Sequence, residues 1–155
     1  MSICICCRVK EKKLDSEVLE RAIENFRFFS GKIIKQADKK SITYECIETN
    51  EDVISFFSEK TFPYNVYDSS IIGDYVYEQL LIFDIRKDLA LNWKYERIID
   101  FCIYLRKQIN SDMLLTSDVY DDICLIEESG IIWSSTFPLK EDMKNCEIGH
   151  TNLGL

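Results

Sequence analysis

The sequence predicts a single α+β domain over residues 1–155, with a mostly antiparallel sheet, helices packed on one side and a C-terminal β-meander. The chain has 155 residues but only five Gly and two Pro, so it fits one domain with little linker. Strand-like and helix-like apolar patterns are interspersed, which leaves little room for repeated β-α-β crossovers. Residues 111–155 contain three short apolar runs separated by polar turns, the pattern of a meander.

The first elements are a strand and a helix. Residues 2–9, SICICCRV, are apolar and favour a strand. The following helix has Asp15 or Ser16 as its predicted N-cap and Ser30-Gly31 as its predicted end. Its apolar residues recur at helical spacing: Val18, Leu19, Ala22, Ile23, Phe26 and Phe29.

The next segments predict a strand pair, a short helix and a loop. Residues 32–36 and 41–48 flank a polar turn and predict the two strands. Thr49 or Asn50 is then the predicted cap of a short helix, and residues 60–72 are predicted to be a loop. The apolar residues of the short helix are Val53, Ile54, Phe56 and Phe57.

The second half predicts a central strand, a long helix and the meander. Residues 74–85 are apolar on both faces, which is typical of a strand in the middle of a sheet. Asn92 then begins a helix. Its predicted inward residues are Tyr95, Ile98, Ile99, Cys102, Leu105 and Ile109. The predicted strands of the meander are residues 113–117, 122–127 and 131–135.

Seven cysteines are many for this length, and their number is odd. They are Cys4, Cys6, Cys7, Cys46, Cys102, Cys124 and Cys146. Most lie within apolar patterns, which is typical of reduced, buried thiols in a cytoplasmic protein. The start MSICICCRVK has about six residues before its first charge, too few for a secretory leader. No apolar run approaches the roughly 20 residues that span a bilayer. We therefore expect a cytoplasmic protein without membrane contact.

The net charge of −8 is concentrated in the last third of the chain. Residues 1–60 are neutral and residues 61–110 carry −1, whereas residues 111–155 carry −7. An acidic surface repels phosphate groups, so we expect no nucleic acid as a direct ligand. The charge suits a basic protein partner, although a solvated acidic surface has the same composition.

The motifs predict neither a metal centre nor a catalytic site. Cys4-x-Cys6-Cys7 and Cys146-x-x-x-His150 contain zinc-ligand types, but neighbouring side chains of a strand point to opposite faces. His150 is the only histidine and lies close to the end of the sequence, a poor position for a nucleophile–base pair. None of the glycines forms a phosphate-binding loop or a nucleophile elbow. We therefore expect no enzymatic activity, no metal and no cofactor.

The segment LLTSDVYDDICLIEESGIIW, residues 114–133, combines apolar runs with clusters of acid. Its carboxylates fall at predicted turns, where Asp is favoured because its side chain bonds its own backbone. Solvated turns rarely raise the pKa of a carboxylate enough for acid catalysis. Aromatic side chains among carboxylates are instead typical of a surface that binds a basic protein. The predicted contact residues are Asp118, Tyr120, Asp121, Asp122, Glu127 and Glu128.

Three further aromatic residues have two interpretations each. Trp133 is predicted to be a core residue of the last strand, with an interface role as the alternative. Tyr64 and Tyr67, in the predicted loop, either extend the interaction surface or cover the core.

The strand–acidic turn–strand LLTSDVYDDICLI, with the size, charge and element order of the chain, resembles bacterial immunity proteins. These include the partners of contact-dependent growth inhibition toxins and of other polymorphic toxins. The resemblance implies a one-to-one inhibitor that forms a tight complex with a basic toxin domain, often a nuclease. It implies inhibition by occlusion, with acidic side chains in place of the nucleic-acid phosphates.

Two other functions remain open from the sequence. A metal-dependent hydrolase that uses the acids of residues 118–128 predicts divalent-ion binding that is lost when Asp118 and Asp122 become Asn. A non-catalytic, self-assembling domain predicts association through an apolar face that is insensitive to salt. A monomer and a small homo-oligomer fit the sequence equally, and either face of the sheet can carry the helices.

Overall fold

Ten strands and two α-helices form the part of the chain that the structure describes. The computed structural model describes residues 2–46, 52–86 and 91–143. The strands are β1 (Ser2–Val9), β2 (Ile34–Ala37), β3 (Ile42–Glu45), β4 (Val53–Phe57), β5 (Val66–Ser69), β6 (Gly73–Val76), β7 (Gln79–Arg86), β8 (Met113–Ser117), β9 (Asp121–Glu127) and β10 (Gly130–Trp133). The helices are α1 (Ser16–Phe26) and α2 (Leu91–Ile109), and a short 3-10 helix spans Lys140–Asp142.

Eight of these strands form one sheet, in the order β10-β9-β8-β1-β7-β4-β3-β2. Every neighbouring pair in it is antiparallel. The predicted meander is confirmed, because β8, β9 and β10 follow one another both in the chain and in the sheet. β5 and β6 form a separate two-stranded hairpin.

The two faces of the sheet are covered by different elements. On one face Cys7 of β1 shares the main core with Ile99 of α2 and with the buried residues of α1. On the other face Tyr75 of the hairpin packs with Leu114 and Leu125 in a smaller apolar cluster. The predicted α+β class, with the helices on one side of an antiparallel sheet, is therefore confirmed. The hairpin layer on the opposite face was not predicted.

Helix α1 begins where predicted and ends earlier. The Oδ1 atom of Asp15 accepts a hydrogen bond from the backbone N–H of Val18 (2.8 Å), so Asp15 is the N-cap. The helix ends at Phe26 because Arg27 adopts a left-handed conformation, with φ of 52°. The end predicted at Ser30-Gly31 is therefore wrong by about one turn, and Arg27 occupies a position where Gly is more usual.

The inward face predicted for the second helix is confirmed. All six residues are buried: Tyr95, Ile98, Ile99, Cys102, Leu105 and Ile109. Their spacing of three and four residues places one continuous stripe of α2 against the sheet.

The predictions for the middle of the chain are partly wrong. The short helix predicted over Val53–Phe57 is strand β4, in which alternate residues are buried. Its β-branched and aromatic residues favour this conformation, and the predicted caps Thr49 and Asn50 lie outside the described residues. The single strand predicted at residues 74–85 is two strands, β6 and β7, and the predicted loop at residues 60–72 contains β5.

None of the six cysteines in the described ranges forms a disulfide. Four of them are buried: Cys7, Cys46, Cys102 and Cys124. Cys6 and Cys7 pack on opposite faces of β1, as predicted, whereas Cys146 and His150 lie outside the described residues. Among the helices of the described chain, none is long and apolar enough to cross a membrane.

Candidate interaction surface

The predicted contact residues lie mainly at two turns, at opposite ends of β9. Asp118, Tyr120 and Asp121 lie in residues 118–121, which we call the acidic turn; it connects β8 to β9 and includes the first residue of β9. Glu127-Glu128 lie at the turn between β9 and β10. Because a strand rises about 3.3 Å per residue, the two turns are about 20 Å apart. The acids therefore form two separate groups rather than one cluster.

The two carboxylates of the acidic turn are exposed. Asp118 joins the turn to β1, because its Oδ1 atom accepts from the backbone N–H of Cys4 (3.1 Å) and its own N–H donates to the Cys4 carbonyl oxygen (3.1 Å). Asp121 has a φ of 60°, in the left-handed region that Asp and Asn tolerate better than most residues. No ion pair among the described residues involves either side chain. Both charges are thus accessible to a partner.

The Asp122 carboxylate holds the hairpin in place. Asp122 is only 2% exposed, and its Oδ2 atom accepts hydrogen bonds from the backbone N–H (2.6 Å) and the Oγ–H (2.5 Å) of Ser70. Ser70 follows β5 at the tip of the hairpin, so this contact joins the tip to the acidic turn. The Oδ1 atom of Asp122 is buried without a hydrogen-bond partner in the described structure. The buried Asp122 carboxylate therefore holds the hairpin tip next to the acidic turn.

The aromatic side chains of the meander pack among one another. The ring centroid of Tyr120 lies 5.7 Å from that of Tyr95 and 5.7 Å from that of Phe137. Trp133 stacks on Phe137, with centroids 6.1 Å apart. Tyr120 and Trp133 are both partly buried against the main core, in agreement with the core interpretation of Trp133.

Arg8 of β1 lies beneath the hairpin. Its guanidinium carbon is 4.1 Å from the ring centroid of Tyr67 and 5.4 Å from that of Tyr77. Its Nη1 atom also donates a hydrogen bond to the Oγ1 atom of Thr116. Burial and the nearby carboxylate of Asp122 raise the pKa of Tyr67. Tyr67 therefore covers the sheet, the second of its two predicted roles.

The solvent-facing side of the hairpin, which we call the outer hairpin face, consists of Val66, Asp68, Asp74 and Val76. In the antiparallel ladder Val66 lies opposite Val76, and Asp68 lies opposite Asp74. The two valines are 40% and 54% exposed, and both aspartates are exposed. On the opposite side of the hairpin, Ser69 and Tyr75 are buried and Tyr67 is partly buried.

Large exposed apolar side chains are concentrated around this face. Phe62 and Tyr64, in the turn before β5, are 82% and 75% exposed. Ile72 at the hairpin tip and Val119 in the acidic turn are also exposed. Exposed apolar side chains together with carboxylates are characteristic of a protein-binding surface.

Sequence reasoning missed the outer hairpin face. Residues 60–72 were predicted to be a loop, so Asp68 was not considered as part of a strand. The available signal was the alternation in VYDS and in GDYV, two short runs separated by three residues.

The partly exposed thiol of Cys4 is not activated as a nucleophile. Its Sγ–H donates a hydrogen bond to the Oδ1 atom of Asp84 (2.8 Å). Burial, this hydrogen bond and the charges of Asp84 and Asp118 raise the pKa of Cys4 to about 12. A nucleophilic cysteine needs a lowered pKa, so Cys4 stays protonated near neutral pH.

Cationic side chains collect away from the acidic turn. A cavity of about 240 Å³ between the end of α1 and the start of α2 is lined by Arg27, Lys94 and Arg97, among others. Lys94 Nζ lies 2.7 Å from Asp52 Oδ2 in a buried ion pair. The Nη2 atom of Arg97 donates to the carbonyl oxygens of Arg27 and Phe28 (2.6 and 2.7 Å). Lys94 and Arg97 therefore serve to hold neighbouring segments together.

The surface around the hairpin and the acidic turn offers exposed charge and apolar area. In the three described ranges, no group of three or more His, Cys, Asp or Glu side chains is placed to hold a metal ion. Asp118 and Asp122, the pair considered for a hydrolase, instead accept hydrogen bonds from Cys4 and Ser70.

Comparisons of the chain with protein-family models, with curated proteins and with solved structures found no match.

Proposed function

We propose that this protein is an immunity-type inhibitor that binds a basic toxin domain, of the nuclease class, through the acidic turn and the adjoining hairpin. One observation carries the proposal: exposed carboxylates without ion-pair partners in the described structure lie beside exposed apolar side chains. Charges of this kind speed the encounter with an oppositely charged partner. Apolar contacts then slow its dissociation.

The charge distribution of the chain supports this orientation. Residues 111–143, which contain β8, β9 and β10, hold eight acidic residues and one basic residue. The cationic cavity lies between the two helices. A basic partner is therefore attracted to the meander end of the molecule.

In this mechanism the protein inhibits the nuclease by covering the surface that binds its substrate. A nuclease holds the phosphates of its substrate with Lys and Arg side chains. Asp118 and Asp121 offer carboxylates to those cations, while the hairpin beside them covers the surrounding surface. No bond is made or broken, so the inhibition is stoichiometric and reversible.

The test takes as candidate partners the basic domains encoded by the genes that flank the gene for this protein. A candidate whose expression alone arrests growth is the toxin domain to be tested. Co-expression should restore the growth that the toxin domain alone arrests, and the two purified proteins should form a one-to-one complex. The association rate constant should fall as ionic strength rises, because salt screens the charges that steer the encounter. Absence of a complex at low ionic strength contradicts the proposal.

Neutralising the acidic turn tests the surface itself. The double variant Asp118→Asn/Asp121→Asn keeps an acceptor for the N–H of Cys4 and tolerates the left-handed backbone at position 121. We expect association about three- to tenfold slower at low ionic strength, with a much smaller effect at high ionic strength.

The matched control is Glu17→Gln/Glu24→Gln on α1, which removes the same charge from two exposed positions. Its association rate should stay close to that of the wild type. Equal slowing by both double variants means that net charge alone acts, and contradicts the assignment of the surface.

A further inference from the structure

The two aspartates of the outer hairpin face are directly opposed. Asp68 and Asp74 are partners in the β5–β6 ladder, so their β carbons lie roughly 5 Å apart. Like charges in directly opposite positions destabilise an antiparallel pair. No ion pair in the described part of the chain involves either carboxylate. The free hairpin therefore carries a repulsion that no described cation offsets.

The contacts that hold the hairpin do not require this acidic pair. Tyr75 packs under the hairpin, and Arg8 lies against the ring of Tyr67. The tip is held by Asp122 through Ser70. All these groups lie on the inner side of the hairpin or at its tip, so Asp68 and Asp74 are not needed to attach it to the sheet.

Apolar side chains flank the acidic pair. Val66 and Val76 are the opposed pair two residues further along the ladder on the same face. Phe62 and Tyr64 precede β5 and are the most exposed large apolar side chains of the described residues. A long cationic side chain can bury its aliphatic stem on such a surface while its charged end reaches the carboxylates.

We infer that the outer hairpin face is the anchor of the interface, and that it binds a Lys or Arg side chain of the basic partner between Asp68 and Asp74. The stem of that side chain packs against Val66 and Val76. Arg fits best, since its planar guanidinium donates to two carboxylates at once. The inference rests on the proposed function and deepens it by naming where the cation binds.

A second copy of this chain does not suit the surface. Two outer hairpin faces that met about a two-fold axis would bring four carboxylates together. Like charges across an interface weaken association. The acidic pair therefore selects a basic partner over self-association.

The experiment combines unfolding and binding of the double variant Asp68→Asn/Asp74→Asn. Because the repulsion is removed, the Tm of the free protein should rise by about 1–3 °C. The affinity for the toxin domain found by the co-expression test should fall by about tenfold or more. A purely structural role for the pair predicts instead that Tm and affinity fall together.

A second variant tests the apolar part of the anchor. Val66→Thr/Val76→Thr keeps the shape and strand preference of both positions but makes the surface polar. It should weaken binding about tenfold, mainly through faster dissociation. The control is Ile132→Thr, at an exposed position of β10, which should leave the affinity unchanged.

The outcomes separate this inference from the proposed function. Failure of the wild-type protein to bind the toxin domain overturns both the proposed function and the inferred anchor. Wild-type binding that both double variants retain leaves the proposed function standing and overturns the anchor. A lower Tm for Asp68→Asn/Asp74→Asn also overturns it, because the aspartates then stabilise the free hairpin.

Discussion

The buried Asp122 carboxylate joins two parts of the fold that are 52 residues apart in the chain. Its two hydrogen bonds from Ser70 fix the hairpin tip beside the acidic turn. A hydrogen bond to a charged group contributes about 1.5–3 kcal/mol. This side chain is therefore one of the contacts that keep the two halves of the proposed surface together.

Asp122→Ala should lower the free energy of unfolding by about 2–3 kcal/mol, because it leaves the backbone N–H of Ser70 without its acceptor. The measurement is urea denaturation followed by circular dichroism. The control is Glu128→Ala at an exposed position, which should change stability by less than about 0.5 kcal/mol. Equal stability of the two variants would show that the contact with Ser70 does not hold the hairpin.

Asp121 and Asp122 show that the burial of individual residues could not be predicted here from the sequence. Both were predicted to contact a partner, yet Asp121 faces solvent and Asp122 is buried. The β8–β9 ladder has a register irregularity between the pairs Leu115–Cys124 and Thr116–Asp122, directly after the two aspartates in β9. Pattern alone does not reveal such a bulge, so it cannot decide which of two adjacent aspartates turns inward.

At the scale of elements, α1 is tied to the strands that follow it by Glu20. The carboxylate of Glu20 lies 2.7 Å from Lys35 Nζ and accepts a hydrogen bond from the hydroxyl of Tyr44 (2.8 Å). The hydrogen bond with Lys35, followed by that of Tyr44, lowers the pKa of Glu20 despite the opposing effect of burial. The contacts of Glu20 with Lys35 and Tyr44 are therefore strongest when Glu20 is ionised.

Lys35→Met should therefore destabilise the protein in a pH-dependent way. A carboxyl group whose pKa is lowered by folding contributes stability above its unfolded pKa of about 4.3, and this contribution disappears as the pH falls through the lowered value. Since the pair is partly exposed, the loss at neutral pH should be about 0.2–1 kcal/mol. Urea denaturation at neutral and acidic pH measures it, and an equal loss at both pH values contradicts the role of Glu20.

The elements that could be predicted are those with long periodic patterns. β1 and α2 were found from the sequence because eight and nineteen residues carry a consistent apolar face. The short run of β4 was assigned to a helix, since five apolar residues fit either period. The β5–β6 hairpin was missed because polar and turn-forming residues interrupt its short apolar alternation, and because a two-stranded hairpin depends on packing against other elements for its stability.

In the whole molecule, the order of the strands places the excess negative charge of the sequence at one edge of the sheet. The acidic last third forms strands β8, β9 and β10 at one edge of the sheet, and the first half of the chain supplies β4, β3 and β2 at the other. The sequence predicted the charge bias and the meander. The sequence did not predict that the hairpin packs on the sheet, or that Asp68 and Asp74 lie on the same surface as the acidic turn. This arrangement depends on long-range packing.

Amide hydrogen exchange of the complex shows whether the hairpin and the acidic turn contact the partner. The protein is compared alone and bound to the partner that the co-expression test identifies, with exchange followed by mass spectrometry at low ionic strength. We expect slower exchange on binding in residues 62–76 and 118–121, with α1 and α2 unchanged. Protection confined to the helices, with free exchange in the hairpin and the acidic turn, would contradict this expectation.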